Sequence, residues 1–140
     1  MTIRTATKTD SATADEREAI ERAVLDYFEG WYQADPDRMT RALHPALVKR
    51  SFIRQADGDQ ALGPTRTAQA MIDATRDGGG RDIPEPHGTT ITVDQVADGI
   101  ASASVTSTPY REFLHLARTP EGWRIVNAFW TWADGHDPRG

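Results

Sequence analysis

Apolar residues in the first part of the chain recur with helical spacing. Ile20, Val24, Tyr27, Phe28 and Trp31 fall at steps of four, three, one and three, which places them on one stripe of a long helix from Ala14 to Ala34. Asp26 and Glu29 take the opposite side. Asp35 and Pro36 then supply an N-cap and a first helical residue, so a second, short helix is expected to run to Leu43. His44 and Pro45 punctuate the chain again, and LVKRSFI from Leu47 to Ile53 has the β-branched and aromatic content of a strand. Gln55 to Pro64 is turn chemistry and predicts a loop or hairpin. Ala68, Met71, Ile72 and Thr75 return to helical spacing, with Thr67 as a cap and Gly78, Gly79 and Gly80 as the stop.

The remainder reads as β. Thr89–Val96 and Ile100–Thr108 flank Asp98 and Gly99, a dipeptide suited to a type I′ hairpin. Tyr110–Thr119 and Trp123–Trp132 flank Pro120, Glu121 and Gly122, which suits a three-residue turn. That turn puts Thr119 opposite Trp123. Counting back then pairs His115 with Asn127, Phe113 with Phe129 and Arg111 with Thr131 on one face. The other face carries Leu116 with Val126, Leu114 with Ala128, Glu112 with Trp130, and Tyr110 with Trp132. Both faces are largely apolar, so the sheet is expected to be covered twice, by the long helix on its concave side and by a second subunit on its convex side. The small residues of Ile100–Thr108 leave either a cavity beside them or room for a bulky neighbour such as Phe129 or Trp130. Helices early and strands late predict an α+β fold in which one curved, mostly antiparallel sheet wraps the long N-terminal helix.

Composition narrows the functional classes. The 140 residues carry 16 Lys plus Arg against 21 Asp plus Glu, a formal charge of −5, and this disfavours a general phosphate-binding surface, so no nucleic-acid partner is expected. Zero cysteines exclude thiol catalysis, cysteine-ligated zinc and iron–sulfur clusters. Residues 1–14 offer little to bury and read as a disordered tail ahead of a domain over 15–132, with 133–140 as a second tail. The opening residues hold no apolar leader core and no later run is long enough for a membrane span, so a cytoplasmic protein with no membrane partner is expected. His44, His87, His115 and His136 lack metal-ligand spacing, GGGRD follows a helix and lacks the phosphate-loop pattern, and no nucleophile elbow is present.

Two blocks carry a family resemblance. GWYQADPDRMTRALHPALVKRSF and YREFLHLARTPEGWRIVNAFW, with the helix and GGGRD between them, resemble the putative lumazine-binding family of the NTF2-like superfamily, over about Asp15 to Trp132. The resemblance implies a cone-shaped α+β barrel that holds a small, mostly apolar ligand, usually in a homodimer. Superfamily members include ketosteroid isomerases, dehydratases and cyclases alongside proteins that only bind, so the fold alone does not choose. It places Tyr27 and Trp31 on the face of the long helix that looks into the cone. Tyr27 could then donate to a developing oxyanion, or simply fill the core.

His115 is the expected proton-transfer residue, with Asn127 opposite to orient it or hold a carbonyl, and a structural or binding histidine as the alternative. Trp31, Phe113 and Phe129 are expected to line the pocket. His44 and Arg50 could stand at its mouth beside Lys49 and Arg54, attracting an anionic or carbonyl-rich ligand, although at least two of Lys49, Arg50 and Arg54 also read as solvated strand charges. Carboxylate chemistry looks weak from sequence: Glu112 falls on the face away from His115, Asp26 on the wet side of the helix, and Asp94 on no assigned side. The expectation is therefore a small-molecule-binding protein. It is either a cofactor-independent isomerase, dehydratase or cyclase acting on a small aromatic or polycyclic molecule, or a non-catalytic binding or interaction module.

Overall fold

The computed structural model describes residues 13–81, 89–107 and 109–133. Both expected tails lie outside these residues apart from their inner ends, as do His87 and His136. The described elements run α1 (Ala14–Gln33), α2 (Pro36–Ala42), β1 (Leu43–Arg54), β2 (Gln60–Leu62), α3 (Ala68–Arg76), β3 (Thr90–Ala97), β4 (Ile100–Thr106), β5 (Tyr110–Thr119) and β6 (Gly122–Trp132). This is the expected α+β architecture, and its local causes are visible. Thr13, Asp35 and Thr67 each accept a hydrogen bond from a backbone N–H in the first turn of α1, α2 and α3. Ala34 ends α1 in the left-handed region, and its N–H returns to the last-turn carbonyls. Gly30 lets α2 close onto α1, because a Cβ there would stand 3.2 Å from the Arg38 Cβ and from the Met39 nitrogen. Asp98 and Gly99 both have positive φ, as the tight β3–β4 hairpin requires.

The six strands form one sheet in the order β2-β1-β6-β5-β4-β3. β3 to β6 are the expected antiparallel meander, whereas β1 lies parallel to β6 and carries β2 as a short antiparallel partner. β1 begins four residues earlier than the sequence suggests. His44 and Pro45 do not interrupt it, because its pairing with β6 shifts between Leu43 and Val48 and Pro45 sits where no ladder bond is needed.

The β5–β6 register matches expectation where it matters and departs near the turn. Thr119 faces Gly122, so the connection has two residues rather than three, and Leu116 faces Ile125 rather than Val126. A bulge at Val126 absorbs the difference. Beyond it, His115 faces Asn127, Phe113 faces Phe129, Glu112 faces Trp130 and Tyr110 faces Trp132, as the hairpin arithmetic predicts.

The core lies between α1 and one sheet face. Ile20 and Val24 from α1 are fully buried, together with Leu114, Leu116 and Ile125 of the sheet. Burying each such side chain is worth about 1.5–3 kcal/mol, which fixes α1 against this inner face. β4 turns Ala101, Ala103 and Val105 into the core. On the wet side of α1, Asp26 and Glu29 pair with Arg38 of α2 at 2.9 and 3.2 Å, tying the two helices together.

Candidate functional site

A cavity of about 350 Å³ lies between α1 and the inner faces of β1, β5 and β6. Its wall is aromatic. α1 contributes Tyr27, Phe28 and Trp31, and the end of the β5–β6 hairpin contributes Tyr110, Trp130 and Trp132. The cross-strand register stacks Tyr110 on Trp132 at 5.1 Å between centroids and 23° between planes, while Trp130 meets both edge-on. Rigid flat surfaces of this kind accept a planar guest at little cost in side-chain entropy. Gly80 fixes one of them: a Cβ there would come within 2.8 Å of the Trp31 ring and 2.4 Å of its carbonyl, so the turn after α3 clamps the indole.

The polar part of the cavity is small and deeply set. Glu112 of β5 is 3% exposed, and its Oε1 stands 3.7 Å from Nζ of Lys49 on β1. Lys49 Nζ also donates to the Tyr27 hydroxyl and lies 4.9 Å from the centre of the Tyr27 ring. Glu112 Oε2 is buried without a hydrogen-bond partner among the described residues. Arg66 lines the same cavity, and its backbone bridges that of Lys49.

Electrostatics follow from this burial. Desolvation pulls the Lys49 ammonium below the usual lysine range, with Glu112 acting in the opposite direction and Arg66 in the same one. Desolvation also holds the Tyr27 phenol protonated well above its ordinary range, and the neighbouring Glu112 carboxylate adds to the rise. Burial pushes Tyr110 up to about 12, partly offset by a hydrogen bond from Trp31. At 3.7 Å and an effective dielectric near 20, the Lys49–Glu112 attraction is about 4 kcal/mol, comparable with the desolvation of one ion. Burial and Coulomb attraction thus oppose each other at Lys49. With a carboxylate acceptor, a phenol donor and an amine converging on one aromatic chamber, the arrangement can polarise a carbonyl and accept a proton from a neighbouring atom. Among the described residues no three His, Asp or Glu side chains converge as a metal site would require.

The residues expected from sequence divide between the two faces. Tyr27 and Trp31 line the cavity as anticipated. His115, Asn127, Phe113 and Phe129 do not, because the cavity lies on the opposite side of β5 and β6. His115 and Asn127 are exposed and 3.3 Å apart on the outer face, Phe113 is 64% exposed, and Phe129 sits there beside Arg50 of β1. The physical reason is that Leu114 and Leu116 outweigh Arg111 and His115 in the competition to face α1. His44 accepts the Ala46 N–H through Nδ1 and is not part of the cavity. The small residues of β4 do not line it either, since Ala101 and Ala103 pack into the core.

Lys49, Glu112, Tyr110, Trp130 and Trp132 were not singled out as site residues by sequence. One signal was present: Glu112 shares a face with Leu114 and Leu116, and a carboxylate drawn inside with them needs a cation, which alternation along β1 supplies at Lys49.

Solved structures of similar fold share little sequence with this chain. An NTF2-like protein of unknown function from Silicibacter pomeroyi aligns with a TM-score of 0.68 at 17% identity, covering 87% of this chain and 99% of its own. One from Shewanella baltica gives 0.64 at 16% identity, covering 90% of this chain and 100% of its own. An NTF2-like protein with a cystatin-like fold from Novosphingobium aromaticivorans gives 0.57 at 18%, covering 86% and 84%. No curated protein is a significant match. The model of a family described as "Putative lumazine-binding" matches residues 15–131, and the chain belongs to that family.

Proposed function

With membership of that family as the premise, we propose that the chain holds a small planar organic molecule in its cavity and moves a proton on it without a cofactor. Isomerisation, dehydration and cyclisation are all reactions of this kind. Glu112 takes the base role, Tyr27 donates a hydrogen bond to the developing oxyanion, and Lys49 balances the charge between them. The observation that carries this reading is Glu112 Oε2, a buried carboxylate oxygen with no hydrogen-bond partner among the described residues, on a side chain lining an aromatic chamber. An unsatisfied acceptor in such a place costs free energy unless a guest supplies the donor. Lumazine, the molecule in the family's name, is a flat bicycle, and the aromatic wall suits that shape.

The test uses 2-tetralone, a bicyclic aromatic ketone, in deuterated buffer. Proton NMR should record loss of its α-protons faster with the protein than in buffer, and Glu112→Gln should slow that exchange by about 100-fold. Exchange at the buffer rate would leave a binding module without chemistry.

The outer face supports a second part of the proposal, a homodimer. Val48, Phe52, Phe113 and Phe129 are between 37% and 64% exposed on one continuous surface of β1, β6 and β5. A second copy laid on this face would cover them, and we place His115, Asn127 and Arg50 in that contact rather than in the cavity.

A further inference from the structure

The chain has fourteen arginines and two lysines, and Lys49 is the one lysine among the described residues. Every other basic side chain of the described fold is a guanidinium or an imidazole. Arginine serves salt bridges, carboxylate recognition and surface charge, as Arg38 does between α1 and α2. It cannot act as an amine nucleophile, because it stays protonated in proteins. Lysine therefore stands at the one position where a strippable proton and a free lone pair are useful: against aromatic rings, 12% exposed, beside a buried carboxylate and a phenol.

We infer that Lys49 captures carbonyl compounds that enter the cavity, condensing with an aromatic aldehyde or ketone to form an iminium, with Glu112 carrying the protons. The inference rests on the cavity being the ligand site and adds the ligand's chemical class. In the first step the Lys49 ammonium passes a proton to Glu112, and the freed Nζ lone pair forms a bond to the carbonyl carbon. The C=O π electrons move to oxygen, which takes the proton from Glu112. The new nitrogen then gives a proton back to the carboxylate. Glu112 delivers that proton to the hydroxyl as it leaves, and the nitrogen lone pair closes the C=N bond. One carbonyl and one ammonium become one iminium and one water, and Glu112 ends ionised as it began. The groups facing Nζ are Glu112, Tyr27 and Arg66. Burial and Arg66 favour the free amine, the Glu112 charge favours the ammonium, and the same carboxylate is the adjacent acceptor for its proton. The iminium is an electron sink for removal of an α-proton, which connects the capture step to proton transfer at the same carboxylate.

The test is reductive trapping on the intact chain. Wild-type protein is incubated at neutral pH with 2-naphthaldehyde and sodium cyanoborohydride, with N-acetyl-lysine amide in the same tube as a reference amine. Peptide mapping should find the reduced adduct on Lys49, formed at least about tenfold faster than on the reference amine, since the chamber holds the aldehyde against Nζ and burial disfavours the ammonium. Glu112→Gln should slow labelling at Lys49, and Lys49→Arg should remove it. The wild-type result alone decides: adducts confined to Lys8 and the amino terminus, or a Lys49 rate equal to that of the reference amine, overturn the inference. Calorimetric titration with 2-naphthol, which fills the same space without a carbonyl, separates the two readings. Binding without trapping removes covalent capture and leaves the cavity as a ligand site, and absence of both removes both.

Discussion

Neighbouring residues of β5 live in opposite environments. Tyr110, Glu112, Leu114 and Leu116 face α1 and the cavity, whereas Arg111, Phe113 and His115 face outward. The inner row holds a buried carboxylate, and the outer row holds an exposed phenylalanine. Each looks misplaced by simple hydrophobic reasoning. The inner anomaly is tolerated because Lys49 and Tyr27 meet the carboxylate. A second copy laid on the outer face, as proposed above, would relieve the outer one. The proposed chemistry thus belongs with the buried charge, and the proposed association with the exposed apolar surface.

The sharpest way to break the inner side of this contrast is to remove its cation. Lys49→Met leaves Glu112 buried and uncompensated, and urea denaturation should report a loss of about 3–5 kcal/mol. The double variant Lys49→Met/Glu112→Leu should recover most of it, and a double variant no more stable than the single would show that the two groups do not interact. Alkali attacks the same region. A phenol raised from 10 to about 12 stabilises the fold fully below pH 10, and that contribution is lost as pH climbs through the folded value. For Tyr110 the loss is about 3 kcal/mol. Thermal melts should therefore fall steeply between pH 10 and 12, and less so in Tyr110→Phe. Lys49, lowered in the fold, acts oppositely, its penalty easing as pH rises towards the ordinary lysine value.

Smaller effects test the wall and the outer face. Gly80→Ala drives a methyl into Trp31 and should cost about 1–3 kcal/mol, with weaker binding of 2-naphthol by calorimetry. Affinity unchanged at full loss of stability would detach Trp31 from the site. Phe113→Glu on the outer row should change stability by less than about 0.5 kcal/mol while shifting light scattering from dimer to monomer mass. An unaltered mass would free this face from self-association.

The elements and the cross-strand pairs were legible because their causes are local. Caps at Asp35 and Thr67, the Asp98–Gly99 turn and the alternation of β5 act within a few residues of the features they set. The compensation at β6 is instructive, since a shorter turn and the Val126 bulge cancel, and pairs near the cavity come out as counted. Which face looks inward was not legible in the same way. It depends on where α1 packs and on β1 entering the sheet parallel to β6, a contact made across some eighty residues of chain. Register arithmetic places His115 opposite Asn127 but carries no sign for inside and outside. Helical periodicity puts Tyr27 and Trp31 on the apolar stripe of α1, and the family resemblance turns that stripe towards the cone. Glu112 reads as lying away from His115, and Lys49 as a mouth cation or a solvated strand charge, and only their meeting across three strands makes them a site.

The central claim, that the ligand enters the aromatic cavity, is most directly tested by the indole N–H signals of the four tryptophans during an NMR titration with 2-naphthol. Trp31, Trp130 and Trp132 line the cavity, and Trp123 lies buried elsewhere. The account predicts saturable shifts at the first three with Trp123 unmoved. Shifts confined to Trp123 or to the Phe113, His115 and Asn127 face would contradict it.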